Sequence, residues 1–128
     1  AFATFSRFAD RARDHGPANF IYAEPGRLLV HADRRKQSDG TIASPGLWVL
    51  RRHCVQRPAS PSPVTVDAAA ETTVVLFASV PLTDEHWMPL ESGTAIEILR
   101  GEIARMVPAL GDTRLFGAPH PGLKSATT

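Results

Sequence analysis

The chain has 128 residues, of which 43% are hydrophobic and 21% charged, with a formal net charge of +1. That is enough for one domain with a hydrophobic core, at ordinary globular composition, and the charge balance favours no electrostatic partner. No apolar run reaches the roughly 18 residues of a membrane-spanning helix. The single cysteine excludes an internal disulfide framework and fits a reducing, cytoplasmic setting.

Residues 1–15 are expected to form a helix. Phe2, Phe5, Phe8, Ala9 and Ala12 recur at three- and four-residue spacing, with Arg7, Asp10, Arg11, Arg13 and Asp14 on the other face. Three phenylalanines on one side need a substantial partner surface. Gly16-Pro17 ends the helix, because glycine accepts a left-handed cap and proline cannot continue the helix. The opening Ala1-Phe2-Ala3-Thr4-Phe5-Ser6-Arg7 lacks the pattern of a secretory signal.

Residues 18–23 and 28–32 are predicted strands, joined through Glu24-Pro25-Gly26-Arg27, whose central Pro-Gly suits a type II turn. Phe20-Ile21-Tyr22, Leu28-Leu29-Val30 and the later Val74-Val75-Leu76-Phe77 are apolar at consecutive positions. Such strands belong to a sheet covered on both faces. Residues 33–46 have the composition of a loop. Residues 47–50 form a fourth strand, fraying into Arg51-Arg52-His53-Cys54, and residues 58–63 form a Pro/Ser-rich linker. Residues 74–80 and 94–99 are further strands, with Ile96 and Ile98 on one face, and residues 101–107 continue the last across a turn. Residues 1–107 thus form one unit. Residues 108–128, rich in Gly and Pro, form a loosely packed or disordered tail.

Chemistry-bearing motifs are sparse. Cys54 is the one thiol, but His53 faces the opposite side of a strand, so the two form no nucleophile–base pair. The five histidines show no metal-ligand spacing, and no nucleophile elbow, phosphate loop or dinucleotide fingerprint is present. No catalytic, metal-binding or cofactor-binding residue is therefore assigned. His31 is expected to be either buried and hydrogen-bonded or at a sheet edge. Arg34, Arg35, Lys36, Arg51, Arg52 and Arg57 are basic enough for a phosphate patch, but stacking aromatics other than Trp48 are missing. A solvated loop is the preferred reading, and no nucleic-acid or membrane partner is expected. Thr83 is expected to cap a short helix with Asp84 and Glu85 in its first turn. Trp48 and Trp87 are expected to be packing anchors, each needing one acceptor for its indole N–H.

The most specific stretch is Pro81-Leu82-Thr83-Asp84-Glu85-His86-Trp87, following a buried strand and followed by Gly93 and the strand at 94–99. Upstream stand Gly16-Pro17-Ala18-Asn19-Phe20-Ile21-Tyr22 and Arg27-Leu28-Leu29-Val30-His31-Ala32. From about Phe2 to Glu102, this order resembles the C-terminal part of class II glutamine amidotransferases of the small, stand-alone bacterial type. Glu24-Pro25-Gly26 departs from the Ser-Asp-Gly type of turn more usual there, as does the Pro/Ser-rich stretch.

The resemblance implies an α+β fold, part of a four-layer αββα sandwich of mostly antiparallel sheets. It implies structural roles for Asn19, Pro81, Thr83, Glu85 and Trp87. Chemistry in that family uses an N-terminal cysteine that attacks the glutamine side-chain amide, with its own α-amino group as base. Residue 1 here is alanine. The expectation is a non-catalytic C-terminal portion, inactive alone and without cofactor, whose partner is the N-terminal half of the same domain. The family substrate would be glutamine or a γ-glutamyl compound, and an exposed half-domain face makes a homodimer possible. The competing expectation is a stand-alone α+β interaction module, with a nucleic-acid-binding domain a weaker rival.

Overall fold

A computed structural model describes residues 1–55 and 71–108. Helix α1 (Phe2–His15) buries Phe2, Phe5 and Ala9. Phe8 stays 63% exposed, so the third phenylalanine lies at the edge of the buried stripe. It still meets Phe20 edge-on, with ring centroids 5.7 Å apart. The helix has no side-chain cap at its start, while Arg13 and His15 in the last turn complement its dipole. Gly16 ends it at φ 147° and ψ −178°, outside the left-handed helical well that the sequence suggested but still in a region that glycine favours.

Four antiparallel strands form the main sheet: β1 (Phe20–Glu24), β2 (Arg27–Ala32), β8 (Thr94–Leu99) and β9 (Glu102–Val107), in the order β1-β2-β8-β9. Gly26 turns β1 into β2 at φ 74°. Arg100 and Gly101, at φ 51° and 82°, make the two-residue link between β8 and β9, where both positive angles suit a hairpin turn.

The alternation of side chains explains why β2 and β8 are apolar at consecutive positions. Leu29 and Ala95 face α1 and pack with Phe2 and Phe5. Val30, Ala32, Ile96 and Ile98 face the other way, into the larger core. That core is closed by a second sheet of β5 (Trp48–Val55), β6 (Glu71–Ala78) and β7 (Met88–Pro89), in the order β6-β5-β7. Val49, Val75 and Phe77 point from it into the same core.

The chain is α+β, and the described residues form three layers: helix, four-stranded sheet, three-stranded sheet. Two local expectations change. β1 is apolar in sequence, but Ile21 and Tyr22 are about half exposed, because β1 is an edge strand that α1 covers only at Phe20. Residues 33–46 are not only loop. They hold a small hairpin of β3 (Arg35–Lys36) and β4 (Ile42–Ala43). Its turn is built by Asp39, whose Oδ1 accepts from Thr41 N and Thr41 Oγ1 at 2.9 and 2.7 Å. Gln37 Nε2 then donates to Ala43 O at 2.7 Å and Pro45 O at 3.0 Å, tying the hairpin to the start of β5. The linker at 58–63 and the tail from 109 onward lie outside the described residues.

Candidate functional site

Three polar or apolar constellations stand out from the packing. The first is the segment at 81–87. Its polypeptide bends without forming the short helix expected there. Thr83 caps no helix, and its hydroxyl instead gathers three groups. It donates to Glu85 Oε1 at 2.8 Å, accepts from Trp87 Nε1 at 3.0 Å and meets Glu85 N at 3.4 Å. Trp87 is buried, so its indole N–H finds the acceptor that burial demands. Glu85 leaves the helical role for a two-pronged ion pair with Arg52 of β5. Arg52 Nε donates to Glu85 Oε2 at 2.9 Å, and the second nitrogen reaches Oε1. The guanidinium holds the Glu85 carboxyl below the ordinary range, and the carboxylate raises Arg52 in return. Thr83, Glu85 and Trp87 are thus one network that straps residues 81–87 to β5. Pro81 is exposed at its start.

Asn19 lies elsewhere, at the junction of α1, β1 and the end of β2. Its Oδ1 accepts from Asp33 N at 2.6 Å, and its Nδ2 donates to Arg34 O at 2.9 Å. Asp33 is fully buried; its carboxylate accepts from Ala18 N at 3.0 Å and from Arg13 Nε at 3.2 Å. His31 is also buried, with Nδ1 2.7 Å from Ala18 O. A carbonyl can only accept, so Nδ1 carries the proton and Nε2 presents a lone pair that has no partner. Burial pushes the His31 pKa below its ordinary value, against the opposing effects of the Ala18 carbonyl and Asp33. Gly46 completes the junction: a Cβ there would stand 2.1 Å from Asn19 Oδ1 and 2.3 Å from Asp33 O.

Glu97 and Asp33 are buried charges that the sequence reading left unassigned. Glu97 Oε2 meets Arg27 at 2.9 Å and Oε1 meets Arg105 at 3.0 Å. Little in Ile96-Glu97-Ile98 signals this, because the same apolar–charged alternation marks a strand with one wet face. Asp33 is equally hidden, since it directly follows the strand and resembles the first residue of the loop.

The third constellation is a cleft of about 590 Å³ between the sheets, beside β7 and β9. Its lining is mostly apolar and includes Val49, Met88, Leu90, Ile103 and Met106, while the exposed Arg51, Glu85, His86 and Glu91 also border it.

These groups tie segments of the chain together and pack. Cys54 is half-buried on β5 opposite Thr72, and His53 faces the other side, 3.4 Å from Thr73 Oγ1. Among the described residues no three His, Cys, Asp or Glu side chains gather where a metal ion would sit. Among them, too, no helix is long and apolar enough to cross a membrane. No family model, curated protein or solved structure matches the chain.

Proposed function

We propose that this chain is the C-terminal, non-catalytic portion of a class II glutamine amidotransferase or related γ-glutamyl amide hydrolase. The observation that carries the reading is the layering. A helix covers one face of an antiparallel sheet whose other face packs on a second antiparallel sheet. That is three layers of the four such a domain would have, in the order the motif resemblance requires. The motif residues support it: Asn19 fixes the helix–sheet junction, and Thr83, Glu85 and Trp87 fix the 81–87 segment.

In this role the chain positions strands and contributes no reacting group. The nucleophile would be a cysteine at the mature N-terminus of the complete protein, with its free α-amino group as base. The substrate class is glutamine or a γ-glutamyl compound, the location cytoplasmic, and the partner the N-terminal half of the same domain. Ammonia release from glutamine tests the reading. The purified chain is expected to release none, and the longer protein is expected to release ammonia in a manner abolished by Cys→Ser at its first residue. Ammonia release by the chain alone that is lost in Cys54→Ser would overturn it.

A further inference from the structure

The cleft of about 590 Å³ beside β7 and β9 differs chemically from one end to the other. Its middle is apolar, lined by Val49, Met88, Leu90, Ile103 and Met106. β7 sets the direction: Met88 stands opposite Val49, and the chain runs on until Leu90 N donates to Leu47 O. Arg51 therefore lies beyond one end of that pairing and Glu91 beyond the other. Counted in strand residues, the two are on the order of 15 Å apart.

Arg51 is the unusual group. On β5 it shares a face with Val49, and it stands opposite Val75 of β6; both valines face the inter-sheet core. The neighbouring Arg52 turns to the other face and is held by Glu85. Arg51 has no hydrogen-bond or ion-pair partner among the described residues. A guanidinium thus stands at one end of an apolar cavity without a counter-charge. Glu85, which also borders the cleft, already has Arg52 as its partner, and Glu91 lies at the far end.

We infer that this cleft binds an amphiphilic monocarboxylate, with its carboxylate on the Arg51 guanidinium and its apolar body along Val49, Met88, Ile103 and Met106 towards Leu90. Three features select that class. The volume falls within the roughly 300–1,000 Å³ of small-molecule sites, which are mostly apolar with a few polar groups that fix orientation. The planar fork of a guanidinium matches a carboxylate in a bidentate geometry. Glu91 disfavours a second anionic group at the other end, so a ligand charged at one end alone fits. The inference stands apart from the amidotransferase reading, since it uses only groups of this chain.

Titration of the purified chain with octanoate, octanol and octylamine, followed by amide chemical shifts, tests it. Octanoate is expected to shift residues 49–51, 88–90 and 103–106. It is expected to bind about fivefold more tightly than octanol, the modest ratio that an ion pair reached by solvent supports. Octylamine is expected to bind most weakly. Arg51→Met keeps an apolar stem at an exposed position and is expected to bring octanoate to the affinity of octanol, whereas Arg51→Lys retains a preference for the acid. Equal affinities for octanoate and octanol in the parent chain would overturn the carboxylate assignment. No binding, or shifts confined to other surfaces, would overturn the cleft as the site and leave it to a second copy of the chain or to the residues beyond Pro108.

Discussion

Trp87 and Thr83 show how a single hydroxyl sets a loop. The indole is buried and its N–H has Thr83 Oγ1 as acceptor. Thr83→Val keeps the shape and removes the acceptor, so a buried donor goes unsatisfied at a cost of about 1–3 kcal/mol. Urea denaturation is expected to show that loss, and Trp87→Phe in the same background is expected to recover part of it, because the orphaned donor is then gone. Gly46 is held by a different constraint. Gly46→Ala drives a Cβ into Asn19 Oδ1 and the Asp33 carbonyl, and the latter is backbone that cannot rotate aside. The expected cost exceeds about 3 kcal/mol, at the severe end for one substitution; a melting temperature close to that of the parent protein would refute the packing described at this junction. His31 carries the pH dependence at this scale. Its native pKa lies below the unfolded value near 6.5, so the unfolded chain binds the extra proton first. The stability that the neutral, buried ring provides is present above about pH 6.5 and is lost as pH falls through the native pKa. Denaturation midpoints between pH 7.5 and 5 are expected to fall more steeply for the parent than for His31→Phe.

At the scale of elements, helix α1 is held to the main sheet by two polar clamps as well as by phenylalanines. One is Arg13 on Asp33, and the other is Arg105, which pairs with Glu97 and lies 4.8 Å from the centre of the Phe2 ring. Glu97→Ala leaves Arg105 without its carboxylate and Arg27 with Glu24 alone. Because both arginines reach solvent, the expected loss by thermal denaturation is about 1–3 kcal/mol, and no measurable loss would mean that solvent replaces the pair. Much of this arrangement was legible in the sequence. The 3.6-residue stripe gave α1, and the doubly apolar run at 28–30 foretold a sheet covered on both sides, whereas Val74 to Phe77, read the same way, are only half-buried. Pro25-Gly26 marked the hairpin. What escaped was decided by tertiary context. β1 has the composition of a buried strand but sits at an edge, which no local pattern records. The hairpin at 35–43 depends on Asp39 and Gln37 side chains bonding backbone atoms, against a composition typical of loops. Thr83-Asp84-Glu85 has the chemistry of a helix start, yet Arg52, more than thirty residues earlier, draws Glu85 into an ion pair instead.

For the whole molecule, the main sheet packs on the helix with one face and shares the larger core with the second sheet on the other, and an apolar cleft opens beside that core near β7 and β9. An apolar opening of this kind favours association. Sedimentation of the purified chain is expected to show concentration-dependent dimers, and Met106→Glu, which charges the cleft wall, is expected to shift them towards monomer. Strictly monomeric behaviour at all concentrations would favour a self-sufficient interaction module. The candidate site was legible only as far as its residue types. Asn19, Thr83, Glu85 and Trp87 could be singled out by motif, but that the last three form one strap on β5 while Asn19 serves a separate junction is a fact of the fold. The measurement that bears most directly on the central claim is the coding sequence immediately upstream of the Ala1 codon. The account predicts an open frame running back to Met-Cys, with an Asn-Gly pair between. An in-frame stop followed by a start codon directly before that of Ala1 would contradict it.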